Sequence, residues 1–163
     1  MRIATWNVNS VRTRAERIAA FLEREDVDVL AMQETKTADS QFPYATFEAA
    51  GYEVAHVGVS QWNGVAIASR VGLDNVRDSF TRQPAFAKKG DPEREARAVG
   101  AVCGGVDVWS LYVPNGRDIG DPHYDYKLQF LWSLADQVQP GELQVYMGDF
   151  NVAPRDEDVW DVA

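Results

Sequence analysis

Residues 2–36 read RIATWNVNSVRTRAERIAAFLEREDVDVLAMQETK, and this stretch decides the fold. RIATWNV, residues 2–8, has the composition of a strand opening the domain. A helix is predicted to follow. Val11, Ala15, Ile18, Ala19 and Leu22 recur at helical spacing, and Ser10 stands where a cap belongs. Arg12, Arg14, Arg17 and Arg24 fall largely outside that stripe. Val27 to Met32 is an almost unbroken apolar run, as expected of a strand buried on both faces. Strand, helix and strand in succession point to an α/β domain.

Working outward, Pro43 to Ala50 predicts a short helix stopped by Gly51. Tyr52–Val59 and Gly64–Arg70 alternate like paired strands, with Asn63-Gly64 as the turn signal between them. Residues 81–95 read as a long surface loop. Ala98–Cys103 and Val106–Val113 flank Gly104-Gly105, a second hairpin signal, and 114–122 read as a loop. A second long helix is expected to bury Leu128, Leu131, Leu134 and Val138 along one side, and Leu143–Met147 is a final apolar strand. No internal repeat or linker interrupts the chain. The residues alone give an α/β architecture with a mixed, mostly antiparallel sheet carrying packed helices.

At 163 residues and 45% hydrophobic, the chain has the size of one domain and enough apolar content for a core without staples. One cysteine excludes an internal disulfide framework and a Cys-rich zinc site, and two histidines cannot build a His-rich one. Cys103 reads as a small buried hydrophobe, and a lone cysteine fits a reducing, cytoplasmic setting. No apolar run approaches the roughly 18 residues of a membrane span, and MRIATWNVNS has no signal-peptide pattern. The net charge is -9, and residues 98–163 hold 11 acidic and only 3 basic side chains. Taken whole, that charge disfavours a polyanionic partner. Local arginines and a bound cation would offset it.

Four predicted strand ends carry polar groups suited to chemistry, where functional residues are usually mounted. Trp6-Asn7-Val8-Asn9 puts an amide in an apolar strand, where it needs a partner. Gln33-Glu34-Thr35-Lys36 puts a carboxylate, a hard-cation ligand, at the mouth of a buried strand. Tyr112-Val113-Pro114-Asn115-Gly116-Arg117 offers a phenol and a guanidinium able to reach phosphate oxygens. Gly148-Asp149-Phe150-Asn151 sets an acid and an amide two apart, on one face if the chain is extended.

Together and in this order, WNVNSVRTR at 6–14, QETK at 33–36, YVPNG at 112–116 and GDFNVAP at 148–154 resemble the exonuclease III class of the endonuclease/exonuclease/phosphatase superfamily, the abasic-site endonuclease class. The resemblance runs along essentially the whole chain. It implies a four-layer α/β sandwich of the DNase I-like type, with two facing mixed sheets and outer helices. It also implies a DNA-repair phosphodiesterase dependent on a divalent cation, Mg2+ or Mn2+. Such an enzyme cuts double-stranded DNA at abasic sites or from 3′ ends, leaves 3′-OH ends, and is a monomer when complete. On the same ground Asn7 and Glu34 match positions at the metal. Tyr112 matches a tyrosine at the scissile phosphate, Asp149 the carboxylate that orients or deprotonates water, and Asn151 an amide at the phosphate or nucleophile. Arg97 and Asn115 match positions that face DNA.

The family's later Ser-Asp-His is missing from this sequence; His56 and His123 lie in other contexts and read as structural or surface residues. Residues 1–163 are therefore expected to be the N-terminal portion of a single domain whose C-terminal portion is absent. That cut would leave an apolar sheet face uncovered, and the chain alone would have little nuclease activity. Two alternatives stay open. One is a superfamily phosphatase or phospholipase acting on a phosphoinositide or other phosphoester. The other is a non-catalytic binding fragment. The nuclease reading requires the four strand ends to converge on one pocket.

Overall fold

The structure is a computed structural model that describes residues 1–87 and 90–161. Its strands are β1 (Ile3–Asn7), β2 (Val29–Gln33), β3 (Glu53–Val57), β4 (Val65–Ser69), β5 (Asp74–Arg77), β6 (Ala98–Cys103), β7 (Val106–Tyr112) and β8 (Gln144–Asp149). Its α-helices are α1 (Ala15–Arg24), α2 (Tyr44–Ala49) and α3 (Pro122–Ala135). The strands form two four-stranded mixed sheets, in the orders β1-β2-β4-β3 and β5-β6-β7-β8. Each sheet contains one parallel pair, β1 with β2 and β7 with β8; the remaining neighbours are antiparallel.

The layers follow from the two-residue alternation of the strands. In β2, Leu30 and Met32 face outward into a cluster with Ile18 and Leu22 of α1 and Phe47 of α2. Val29 faces inward, where it meets Ile67, Val99 and Val108 between the sheets. In β7, Trp109 and Leu111 face outward onto Phe130 and Leu134 of α3, while Val108 faces inward. The result is helix, sheet, sheet, helix, the four-layer α/β sandwich. Among the described residues both outer faces carry helices, and the expected bare sheet face is not seen there. Partial exposure runs instead along the strand edges, with every residue of β8 half-buried.

One polar bridge crosses the inner layer. Gln33 of β2 is 1% exposed, and its Nε2 donates to Ser110 Oγ of β7 at 3.0 Å. The Ser110 hydroxyl donates in turn to Met32 O at 2.9 Å, and Thr5 Oγ1 donates to Gln33 Oε1 at 3.3 Å. Few groups other than each other are available to satisfy these atoms in an apolar layer, so the bridge fixes the register of one sheet on the other.

Several local expectations need correction. Ser10 does not cap α1. It sits at φ 87° in a turn, and the helix begins at Ala15 behind Arg14. β5 (DNVR) has no counterpart among the expected strands; it is polar and largely exposed at a sheet edge, so it lacks an apolar alternation. The buried stripe of α3 is His123, Tyr126, Phe130 and Leu134, and Val138 lies beyond the helix, exposed. His123 lies in the first turn of that helix, buried, in keeping with a structural role. The surface loop 81–95 contains a bridge between Phe86 and Glu93, and its residues 88–89 lie outside the described residues. Cys103 is a buried free thiol, as read.

Ser110→Ala is expected to leave Gln33 Nε2 and Met32 O without their partner and to cost about 1–3 kcal/mol, measured by urea unfolding. A second expectation concerns His56, whose side chain is fully buried. Burial pushes its imidazole down to about 4 from an ordinary 6.5, with the Asp39 carboxylate opposing. Between those pH values the unfolded chain takes up a proton that the folded chain excludes, so acidification favours unfolding. This contribution is whole above pH 6.5 and gone by pH 4, and amounts to at most about 3 kcal/mol. His56→Phe should flatten that part of the stability profile; an unchanged slope would remove His56 as its source.

Candidate active site

The two parallel pairs place four strand ends together. Parallel pairing aligns the C-terminal ends of β1 with β2 and of β7 with β8, opposing Asn7 to Gln33 and Tyr112 to Asp149. The sheets stack with β1 against β8 and β2 against β7. Strand alternation then turns one set of residues inward: Thr5 and Asn7, Gln33, Ser110 and Tyr112, Met147 and Asp149. The inner layer is apolar at depth and polar at this rim.

Asn7 is the centre of the rim. Its Nδ2 donates to Glu34 Oε1 and to Asp149 Oδ2, each at 2.9 Å. Its Oδ1 accepts from the Asn9 backbone N–H at 3.1 Å. Both amide hydrogens and the carbonyl are thus used, and a flipped amide would turn oxygen toward two carboxylates. Glu34 and Asp149 come from different sheets and share this one nitrogen. The required convergence is present.

Glu34 reaches Asn7 through a backbone irregularity. Gln33 points inward, so an extended chain would send Glu34 outward. Instead Glu34 has φ 52°, and Lys36 repeats the value. A left-handed non-glycine residue costs about 1–2 kcal/mol, so the turn needs support. It has Ser10 N→Glu34 O at 2.7 Å, Val11 N→Thr35 O at 3.0 Å, Thr35 N→Gly64 O at 3.1 Å and Lys36 N→Asn63 O at 3.0 Å. Lys36 Nζ lies 2.7 Å from Glu34 Oε2 and donates to Asn9 Oδ1 at 2.6 Å. Burial raises the Glu34 pKa, but hydrogen bonds from Asn7, Lys36 and Tyr112 outweigh it and hold the carboxyl below its usual range. Lys36 was not singled out from the sequence, although it closes the quoted QETK.

Tyr112 has its phenol turned toward Glu34. Burial, then the charge of Glu34, push it up to about 12, so it stays protonated. Arg97 backs it: the guanidinium lies 4.9 Å from the Tyr112 ring centre and donates to Tyr112 O at 3.2 Å. Arg97 is 5% exposed and paired to Glu95 at 2.6 Å. Arg97 and Tyr112 line a cavity of about 450 Å³ with Trp62, Asn115 and Arg117. Asn115 is exposed there and accepts from Arg117 N at 2.8 Å. A larger depression, about 770 Å³, lies between α1 and α2 and contains none of these groups.

Gly148 lets Asp149 take its place. A β-carbon there, at φ 147°, would stand 1.9 Å from Leu111 O, so any side chain would push β8 from β7. Asp149 Oδ1 accepts from Asn151 N at 3.0 Å. Asn151 does not share the Asp149 face as an extended strand would require. It has φ 51°, its Nδ2 donates to Val113 O at 2.8 Å, and Lys127 Nζ donates to its carbonyl at 2.5 Å. The Asx turn breaks the alternation.

Among the described residues no group of three or more His, Cys, Asp or Glu side chains stands ready for a metal. The oxygen donors that meet at the rim are the carboxylates of Glu34 and Asp149, both hard, and the Asn7 amide turns its nitrogen toward them. That set fits Mg2+ or Mn2+, which take one or two protein carboxylates and complete their shell with water and phosphate. It does not fit a soft metal.

The sequence profile of the endonuclease/exonuclease/phosphatase family matches residues 4–163. Exodeoxyribonuclease III from Haemophilus influenzae is 29% identical over 98% of this chain and 60% of its own length. The chain thus spans about three fifths of the curated relatives it matches. Among solved structures, an AP endonuclease from Archaeoglobus fulgidus superimposes with a TM-score of 0.87 at 38% identity, over 99% of this chain and 62% of that one. A 3′ phosphatase from Neisseria bound to a product DNA hairpin gives 0.88 at 32%, with the same coverage.

Asn7→Leu is expected to leave two carboxylates facing each other without their shared donor and to cost about 1–3 kcal/mol in urea unfolding. Asn7→Asp should cost at least as much at pH 7, because a third carboxylate joins the pair. Added Mg2+ or Mn2+ should restore part of that loss.

Proposed function

This chain belongs to the endonuclease/exonuclease/phosphatase family, and on that premise we propose that it is the N-terminal portion of a divalent-cation-dependent DNA phosphodiesterase of the exonuclease III type. Its substrates are double-stranded DNA at abasic sites and 3′ ends, and its products carry 3′-OH groups. The observation that carries the reading is the single amide of Asn7 joining Glu34 and Asp149 beside the protonated Tyr112.

Glu34 would hold Mg2+ or Mn2+, with Asn7 at the same site orienting its carboxylate through Nδ2. When bound, the cation neutralises charge on the phosphate and eases departure of the 3′ oxygen. Asp149 orients the attacking water and takes its proton. A base held in place is worth about 10²–10⁴ in rate. Tyr112 donates a hydrogen bond to a phosphate oxygen as negative charge grows there. Asn151, tied to Val113 O, serves first by holding Asp149 through its own N–H. Arg97 and Asn115 line the cavity next to Tyr112 that would receive the duplex, Arg97 being buried and paired to Glu95, and Arg117 adds a more exposed guanidinium 3.7 Å from Asp121. A bound cation would offset part of the -9 charge at the DNA surface. No described helix is long and apolar enough to cross a membrane, and we place the enzyme in the cytoplasm as a monomer when complete.

The test has two arms. Mn2+ titrated calorimetrically into residues 1–163 should bind, and Glu34→Ala should abolish the heat; equal heats would remove Glu34 as ligand. Incision of an abasic duplex by the protein in its longest form should require Mg2+, stop with EDTA, and fall about 10²–10⁴-fold in Asp149→Asn. Its binding constant should drop with salt by about 0.9 log unit per log unit for each phosphate contacted. A flat salt response, or cleavage of a phosphoinositide in place of DNA, would overturn the substrate.

A further inference from the structure

The turn that aims Glu34 is held on its outer side by a polar chain that the reaction does not use, buried at Thr35 and His56 and exposed at Asp39. Thr35 is fully buried, and its hydroxyl lies 2.8 Å from Nε2 of His56 on β3. Asp39 Oδ1 lies 2.7 Å from Nδ1 of the same ring and accepts from Gly58 N at 2.9 Å. The approach of Asp39 to Nδ1 is not aligned as a hydrogen bond, so it acts there as a charge. Phe42 covers the ring, with centroids 4.4 Å apart. Two glycines close on the unit. A β-carbon on Gly64 would stand 2.1 Å from Thr35 Oγ1, and one on Gly58 would stand 2.4 Å from His56 Cε1.

The order of these contacts gives the ring its role. Asp39 favours a proton on Nδ1, which leaves Nε2 to accept from the Thr35 hydroxyl. Thr35 sits between Glu34 and Lys36, the two left-handed residues. A hydroxyl fixed at the middle of the turn opposes its relaxation to an extended strand. Relaxation would carry the Glu34 carboxylate away from Asn7. Packing alone would not supply this, because an apolar ring of the same size has no acceptor for Thr35.

We propose that His56, oriented by Asp39, is a positioning residue that locks the Thr35 hydroxyl and thereby holds the Glu34 carboxylate in line with Asn7 and Asp149. The consequence for cation binding rests on the reading of Glu34 as a ligand; the consequence for the turn does not. His56→Phe keeps the ring against Phe42 and removes both nitrogens. Thr35→Val keeps the shape and removes the hydroxyl. Phe42→Leu serves as the packing control.

Hydrogen exchange and Mn2+ calorimetry on residues 1–163 provide the test. In His56→Phe and Thr35→Val, the Thr35 and Lys36 amides should exchange at least about ten-fold faster relative to those of Val29–Met32, as loss of a local opening barrier requires. Mn2+ should bind about ten-fold more weakly in both, the size usual for a group that orients a ligand. The double variant should be no worse than either single one, because both remove the same interaction. His56→Gln should recover part of both effects, and Phe42→Leu should reproduce neither. Exchange rising equally across β1–β4, additive losses in the double variant, or the same result from Phe42→Leu would overturn the proposal. If wild type takes up no Mn2+, the cation reading fails, and the exchange result still decides the role of His56.

Discussion

One nitrogen atom, Nδ2 of Asn7, holds a carboxylate from each of two sheets at 2.9 Å. Two acids that meet at one atom repel unless something lies between them, and here a neutral amide does so with both its hydrogens. The rest of the arrangement serves that contact. β1 must end where β2 ends, β8 must end where β7 ends, and the sheets must stack with those ends at one rim. Parallel pairing achieves the first two, and an antiparallel partner in either place would send one of the four ends to the far side. The Gln33–Ser110 bridge achieves the third, because it joins the sheets at the residue before Glu34 and two residues before Tyr112.

The helices have a simpler task. α1 and α2 cover the first sheet and α3 covers the second, so the inner layer stays dry while its rim meets solvent. Charge follows the same division. Glu34 is balanced by Lys36 and Glu95 by Arg97, the second pair sitting behind Tyr112. The acidic total of the chain therefore says little about the rim, where cations are interleaved with the acids.

Much of this was legible in the chain. β1, β2, β3, β4, β6 and β7 follow from runs and alternations of apolar residues, and the four polar strand ends were picked out because polar groups end apolar strands. The resemblance added the sandwich and the proposed roles. What escaped has physical reasons. β5 has no apolar alternation, because it is an exposed edge. The buried stripe of α3 includes His123 and Tyr126, so a search for leucines finds the wrong side. Asn151 and Glu34 both leave the two-residue alternation through positive φ angles, which a sequence of ordinary residues does not announce. His56 looked incidental, because its partners Thr35 and Asp39 are distant in sequence and meet only when β3 is in place.

The inward ladders of β1, β2, β7 and β8 make the rim sensitive to reading frame along each strand. Deleting a single residue from the middle of β8 would rotate Asp149 to the α3 side and present Phe150 to Asn7, with the length of the chain hardly changed. Removing two would preserve the facing but shorten the reach by a pleat. The described residues of 81–95, which hold one isolated bridge and no strand of either sheet, are free of this arithmetic. Variation in length among related chains should therefore collect in such connections and avoid the four strands that end at the rim.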